Sequence, residues 1–289
     1  MAGILITGCS SGFGELAARE FSRTGHRVFA TMRGTDGRNQ GIAEELSRLE
    51  NVTVHELDVT NEESVAACAE EILAQSALDV IVHNAGFGVY GVAEGSTPEQ
   101  FSRVLEVNLL GVHRLNRAFL PHLRSRRSGL LIYLSSGSGR TVFPYSSVYC
   151  ASKFALEAYA EALAYELRTF DIDSVILEPG AYPSKYRQNV ERPDDGKVLA
   201  QYPVEQAEAE KIHANIVEML HSEMAPDPRD ITNAMLHVLS LAPGERPLRV
   251  ALRKDAGGLK MINQICGEVQ GALLRGLNLE HRTVKRPQL

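Results

Sequence analysis

Short runs of Val, Ile and Leu alternate with helix-length segments through residues 3–177, and no other feature constrains the fold of the chain as tightly. The runs read as strands at 3–7, 27–32, 52–57, 79–83, 130–134 and 172–177. Helices at 15–24, 39–49, 62–74, 98–123 and 148–169 separate them. Strands that are apolar on both faces, joined by helices, belong to βαβ units in a parallel sheet covered on two sides. The pattern predicts an α/β fold with a doubly wound parallel sheet. After Pro179-Gly180 the regularity lapses. Residues 182–201 carry Pro183, Pro193, Gly196 and a run of charges, and are expected to form an irregular, mobile insertion. Helices over 205–222 and 229–241 and a strand over 248–252 bring the expected sheet to about seven strands. Nothing reads as a linker. The expectation is one domain over 1–254, with 182–225 as an insertion, and a helical tail over 255–289.

Composition removes several functional classes. With 44% hydrophobic and 23% charged residues in 289, the chain can bury a sizeable core. Its net charge of −6 opposes sequence-independent nucleic-acid binding, which needs a basic surface, and the basic string 281–286 is too short to change that. Cys9, Cys68, Cys150 and Cys266 lie far apart with no CxxC, which argues against a zinc site or a disulfide framework. No apolar run reaches the ~18 residues of a membrane span and no signal peptide is read, so the expected setting is cytoplasmic. Arg outnumbers Lys 23 to 7, and the first lysine, Lys153, follows thirteen arginines. A coding bias accounts for the bulk ratio, whereas a lysine placed against it marks a position where an amine is needed.

The turn Thr7-Gly8-Cys9-Ser10-Ser11-Gly12-Phe13-Gly14 lies between the first strand and the first helix. Glycines there let backbone N–H groups approach a pyrophosphate, and the helix N-terminus adds a favourable dipole. A tight turn without ligand is the plain alternative. Gly8-Cys9-Ser10-Ser11-Gly12 also satisfies GxSxG, which would make Ser10 a hydrolase nucleophile, but no earlier strand supplies the oxyanion loop. About twenty residues on, Thr31-Met32-Arg33-Gly34 ends the second strand. An acid there would bind a ribose 2′-hydroxyl, whereas Arg33 suits a 2′-phosphate, so NADP(H) is favoured with NAD(H) as the alternative.

Tyr149 and Lys153 stand four apart at the start of a long predicted helix and share one face. An ammonium about 5 Å from a phenol at effective dielectric ~20 contributes ~3 kcal/mol, which brings the phenol pKa toward the range of a useful acid–base. Alone, the pair reads as well as a plain surface contact. Ser136, at the carboxyl end of the fifth strand, can face the same substrate oxygen, since ligands of open α/β sheets bind at that edge. Asn108 interrupts the apolar stripe Phe101, Leu105, Val112, Leu115, Phe119, and a buried amide must be hydrogen-bonded there.

Together these motifs resemble the short-chain dehydrogenase/reductase family, with its TGxxxGxG and YxxxK signatures. Thr7 to Gly14, Asn84-Ala85-Gly86, Asn108, Ser136, Tyr149-Cys150-Ala151-Ser152-Lys153 and Pro179-Gly180 fall in family order and at family spacing. Cys9 and the run 148–157 look particularly like the steroid and retinol dehydrogenase branch. The resemblance implies a Rossmann-type sheet and hydride exchange between a nicotinamide and a carbonyl or alcohol carbon. It implies Tyr149 as acid–base, Ser136 on the substrate oxygen, Lys153 tuning the phenol and holding the ribose, and Asn108 in a proton relay. It also implies cofactor contacts from Gly8, Ser10, Ser11, Gly12, Phe13, Gly14, Arg33, Asp58, Val59, Asn84, Ala85, Gly86, Tyr149, Lys153, Pro179 and Gly180. The family's Thr after Pro-Gly is replaced by Ala181-Tyr182-Pro183-Ser184, so Ser184 is the candidate substitute, and His83 stands where the first Asn of NNAG is usual. The aromatics Phe87, Tyr90, Phe143, Tyr145, Tyr182 and Tyr186, with Val89 and Val142, are expected to line a cleft for a small lipophilic ketone, aldehyde or alcohol. The family usually forms homo-oligomers, dimers or tetramers, through helices corresponding to 98–123 and 148–169. A nucleotide-binding regulator without turnover is the competing functional class.

Overall fold

The computed structural model describes residues 1–252 and 256–284, except the side chains at 187 and 188. The expected domain boundary at 254/255 and part of the basic string 281–286 lie outside the described residues. Strands β1 (Gly3–Thr7), β2 (Arg27–Met32), β3 (Val52–Glu56), β4 (Val80–His83), β5 (Gly129–Leu134), β6 (Ile172–Pro179) and β7 (Arg249–Leu252) form one parallel sheet in the order β3-β2-β1-β4-β5-β6-β7. The chain order reverses between β1 and β4, which opens a crevice at the carboxyl ends of the strands.

Helices α1 (Gly12–Arg23), α2 (Gln40–Ser47), α3 (Glu62–Gln75), α4 (Pro98–Leu105), α5 (Gly111–Arg126), α6 (Ser147–Leu167), α7 (Gly196–Leu199), α8 (Pro203–His221), α9 (Arg229–Ser240) and α10 (Gly257–Gly276) follow in chain order. Alternate strand residues serve opposite faces. Ile4 and Ile6 pack with Ala18, Phe21, Ile231 and Met235 of α1 and α9. Leu5, Ile81 and Leu131 pack with Ile72, Leu115, Phe119 and Leu156 of α3, α5 and α6. This two-sided burial accounts for the near-continuous apolar reading of the central strands.

Two expectations change. The single helix over 98–123 is two helices, α4 and α5, joined by a π-helical turn at Glu106–Leu110. Thr97 and Gln100 cap α4 reciprocally and Pro98 opens it, so the helix start is set locally. The π turn has no such local signature, and it holds the buried Asn108. The segment 182–201 is irregular but fastened to the body. Gln100 Nε2 donates to Arg192 O (2.8 Å), Asp194 N donates to Gln100 Oε1 (2.9 Å), and Glu191 bridges to Val89.

Candidate active site

One cleft of about 1290 Å³ runs along the carboxyl edge of the sheet, large enough for a dinucleotide and a second small molecule. Its floor begins at the glycine turn. Gly8 has φ +74°, which an L side chain rarely adopts, and a Cβ at Gly14 would run into Gly8 O and the Asn84 amide. Asn84 Nδ2 donates to Thr7 O (2.7 Å), while Thr7 Oγ1 accepts from Asn84 N and Ala85 N (2.9 Å each). These bonds join the turn after β1 to the end of β4 across the crevice. Ser11 makes no side-chain cap on α1, so its first N–H groups remain available to an anion. Gly8, Ser10, Ser11, Gly12 and Phe13 line the cleft, and Ser184 closes over Gly12, where a Cβ would meet it at 3.7 Å. Asn84, Ala85, Gly86, Pro179 and Gly180 complete that wall.

At the β2–β3 end of the cleft, Asp58 and Val59 line it with Arg33. Burial tends to raise the Asp58 carboxyl, but hydrogen bonds from Thr60 and the charges of Arg33 and Arg38 outweigh it and hold the group below its usual range. Arg38 and Asn39 also line this end, and they are the residues sequence reasoning missed. Their signal was a second cation five residues after Arg33 in a turn-rich run. Glu56, at the end of β3, is occupied with Gly34 N, Thr35 N and Thr35 Oγ1 (2.8 Å each) and does not line the cleft. A dinucleotide fits these residues: an open helix N-terminus on the glycine turn after β1, with two guanidinium side chains beside it after β2.

On the other side of the glycine turn, over β5 and α6, the cleft brings Ser136, Tyr149 and Lys153 together. Lys153 Nζ lies 5.7 Å from the Tyr149 ring centroid and donates to Leu134 O at 2.8 Å. The lysine is only 6% exposed, and burial lowers it to about 8 against an attraction from Glu157 that raises it. Ser136 Oγ accepts from Ser138 N (3.1 Å) and so caps the turn after β5, and the hydroxyl retains its own proton to donate. Asn108 is almost wholly buried. Its Oδ1 accepts from Phe87 N (3.1 Å), and its Nδ2 donates to Phe87 O and Ser152 Oγ (2.9 Å each). A Cβ on Gly86 would lie 3.1 Å from Asn108 Oδ1 and 3.8 Å from Lys153 Nζ, so the two polar groups flank that glycine.

Phe87, Val89, Tyr90, Phe143, Tyr182 and Tyr186 line the cleft as expected. Val142 and Tyr145 do not: Val142 is exposed, and the Tyr145 hydroxyl donates to Glu208 (2.6 Å). His83 is buried, stacked on Tyr133 and bonded to Asn116 (2.9 Å), and burial depresses it to about 4, so it is neutral packing. Among the described residues no histidine lines the cleft, which leaves Ser10 without a base for hydrolase chemistry. Burial also pushes the Cys9 thiol up to about 12 and makes it inert.

Residues 2–195 match the family model for the short chain dehydrogenase. The chain belongs to the short-chain dehydrogenase family of NAD(P)-dependent oxidoreductases. It is 38% identical to a 3-ketodihydrosphingosine reductase from Bacteroides thetaiotaomicron over 64% of this chain and 66% of that protein. It is 37% identical to rat estradiol 17-beta-dehydrogenase 1 over 81% of this chain and 69% of the relative. It is 34% identical to human retinol dehydrogenase 8 over 82% and 77% of the two chains. Thus the similarity spans about two thirds to three quarters of these relatives' own lengths. Among solved structures, a short-chain dehydrogenase from Streptomyces avermitilis superposes with TM-score 0.74 at 29% identity, over 96% of this chain and 98% of that chain. An alcohol dehydrogenase from Thermococcus sibiricus, complexed with 5-hydroxy-NADP, gives 0.70 at 28% over 88% and 97%. The similarity to the estradiol and retinol dehydrogenases places this short-chain dehydrogenase in the steroid and retinol branch of its family.

A second polar cluster of this dehydrogenase lies behind Lys153. Arg249 Nε contacts Glu157 Oε2 (2.8 Å) and Glu178 Oε1 (3.4 Å), and its NH2 contacts Glu161 Oε2 (2.7 Å). Asn263 of α10 donates to Glu178 Oε2 (2.6 Å) and accepts from Arg140 Nε (3.0 Å). Burial raises Glu157 despite Arg249, and burial with Glu157 nearby pushes Glu178 up to about 8.

Proposed function

We propose that this dehydrogenase is an NADP(H)-preferring oxidoreductase that interconverts a lipophilic ketone or aldehyde and its alcohol. The observation that carries this reading is the meeting of Ser136, Tyr149 and Lys153 in the cleft that the glycine turn opens. The nicotinamide, when bound, exchanges hydride with the substrate carbon. In this reading Ser136 donates to the substrate oxygen, and Tyr149 gives or takes its proton. Lys153 lowers the phenol pKa and holds the nicotinamide ribose, and Asn108 holds the Phe87 backbone and Ser152 in the relay beside it. Gly8, Ser10, Ser11, Gly12 and Phe13 cradle the pyrophosphate, and Gly14, expected as a contact, instead lets the turn pack against Gly8 and Asn84. Asp58, Val59, Asn84, Ala85, Gly86, Pro179, Gly180 and Ser184 position the rest of the dinucleotide. Aromatic lining from Phe87, Tyr90, Phe143, Tyr182 and Tyr186 supports a lipophilic substrate. In this reading residues 1–254 are the catalytic domain, 182–225 its substrate-binding insertion and 255–289 a tail. Exposed Phe101 and Phe154, on α4 and α6, and Leu110 in the π turn support a homo-oligomer formed through those helices. The proposed setting is cytoplasmic, and no helix among the described residues is long and apolar enough to cross a membrane.

The test is to follow NADPH and NADH oxidation against a panel of lipophilic ketones and aldehydes. Turnover with NADPH ahead of NADH supports the reading. NADPH binding without turnover on any substrate would point to a regulator instead. Cofactor preference has its own variant. Arg33→Ala with Arg38→Ala removes charge-assisted bonds worth about 1.5–3 kcal/mol each, so KM for NADPH should rise about tenfold or more. KM for NADH should hardly move, because that cofactor has no 2′-phosphate.

A further inference from the structure

A surface helix ordinarily turns its apolar stripe inward and its polar residues to water. Helix α10 departs from this. Met261, Ile265, Val269, Leu273 and Leu277 recur at every fourth position from the helix to its C-cap and are 52–66% exposed. At ~100° per residue they sweep an arc of about 160° on the outer side. The inner side holds the buried Leu259 and Leu274 together with Asn263, whose amide is committed to Glu178 and Arg140. The helix cannot roll to bury its ridge, because it is fixed at both ends. Asn263 pins one end. Beyond the other, Arg282 donates to Tyr165 O (3.3 Å) and Glu166 O (3.1 Å) of α6.

Charge separates the occupants that could cover such a ridge. Residues 253–289 carry seven Lys and Arg against three Asp and Glu, whereas residues 1–252 carry 23 against 33. The segment is therefore +4 on a chain whose remainder is −10. A second copy seated by two-fold symmetry would set this basic segment against itself. An anionic lipid surface would attract it while accepting the apolar ridge, and its attraction falls within a Debye length. We propose that α10 is a lipid-docking helix, which lays its Met261–Leu277 ridge on an anionic bilayer surface while the acidic body stays in water. No described helix is apolar enough to span, so the contact is along the surface.

The experiment is flotation of the full chain with phosphatidylcholine vesicles, with and without phosphatidylserine. The protein is expected to float with the anionic vesicles, weakly with the neutral ones, and to be released by added salt. Ile265→Glu with Val269→Glu should lower the bound fraction about tenfold or more while thermal unfolding and NADPH binding stay unchanged. Lys260→Glu with Arg275→Glu, which leaves the ridge intact, should abolish the preference for phosphatidylserine. Absence of flotation with either vesicle, or equal flotation of the ridge variant, overturns the proposal. So does a gel-filtration shift of the ridge variant to a smaller species, which would make the occupant a second copy. No turnover is read, so failure here is distinct from failure of the proposed reaction.

Discussion

Tyr149→Phe is expected to lower turnover by about 10²–10⁴-fold, the usual contribution of a positioned acid–base, with NADPH binding retained. The ring remains, so its contact with Tyr186 and its packing over Gly88 persist, and what is lost is the hydroxyl with its exchangeable proton. Single-turnover rates and nucleotide fluorescence titration together check this, and a variant that retains full activity would remove Tyr149 from the chemistry. Lys153→Arg should also lose most activity while keeping the charge. The Lys153 side chain is buried and reaches Leu134 O with a compact amine, whereas a planar guanidinium is larger and presents its donors in a fixed fork. Because burial lowers Lys153 to about 8, its support for the phenolate is complete below that pH and fades as pH rises through it.

Arg249→Leu is expected to destabilise the fold by about 3–5 kcal/mol, since it leaves buried carboxylates without their cation. Three acids converge on that guanidinium, and Glu178 is 0% exposed. The melting temperature should fall by roughly 5–8 °C at this chain length. Glu178→Gln provides the pH control. Its folded pKa of about 8 exceeds the ordinary 4.5, so the native state binds the extra proton between these values. Wild-type stability from this group is therefore full below about 4.5 and is lost as pH climbs to about 8, by linkage. The neutral Gln variant escapes that loss, and its melting temperature relative to wild type should rise across the window. A flat difference would assign the Glu178 proton elsewhere.

The parts of this enzyme that were legible in the residues are the short-range ones. Strand spans show as short continuous apolar runs and helix spans as a period of 3.6 residues, and the glycine turn depends on backbone sterics at Gly8 and Gly14. Tyr149 and Lys153 share a face because they are four apart on one helix. Those local rules carried the sheet, the cleft edge and the side chains meeting there. Spatial partnership between distant positions was not legible. Asn108 finds its partners 21 and 44 positions away, inside a π turn that no local signal marks. Arg249 gathers carboxylates from α6 and β6, and the placement of Arg38 beside Asp58 required the loop to fold back on β3. The sequence showed a helical tail after residue 254, but which face of α10 meets water depended on how Asn263 and Arg282 fasten it to the body. Backbone sterics act within a few residues, whereas burial and charge pairing act across the packed interior, so only the assembled sheet decided those.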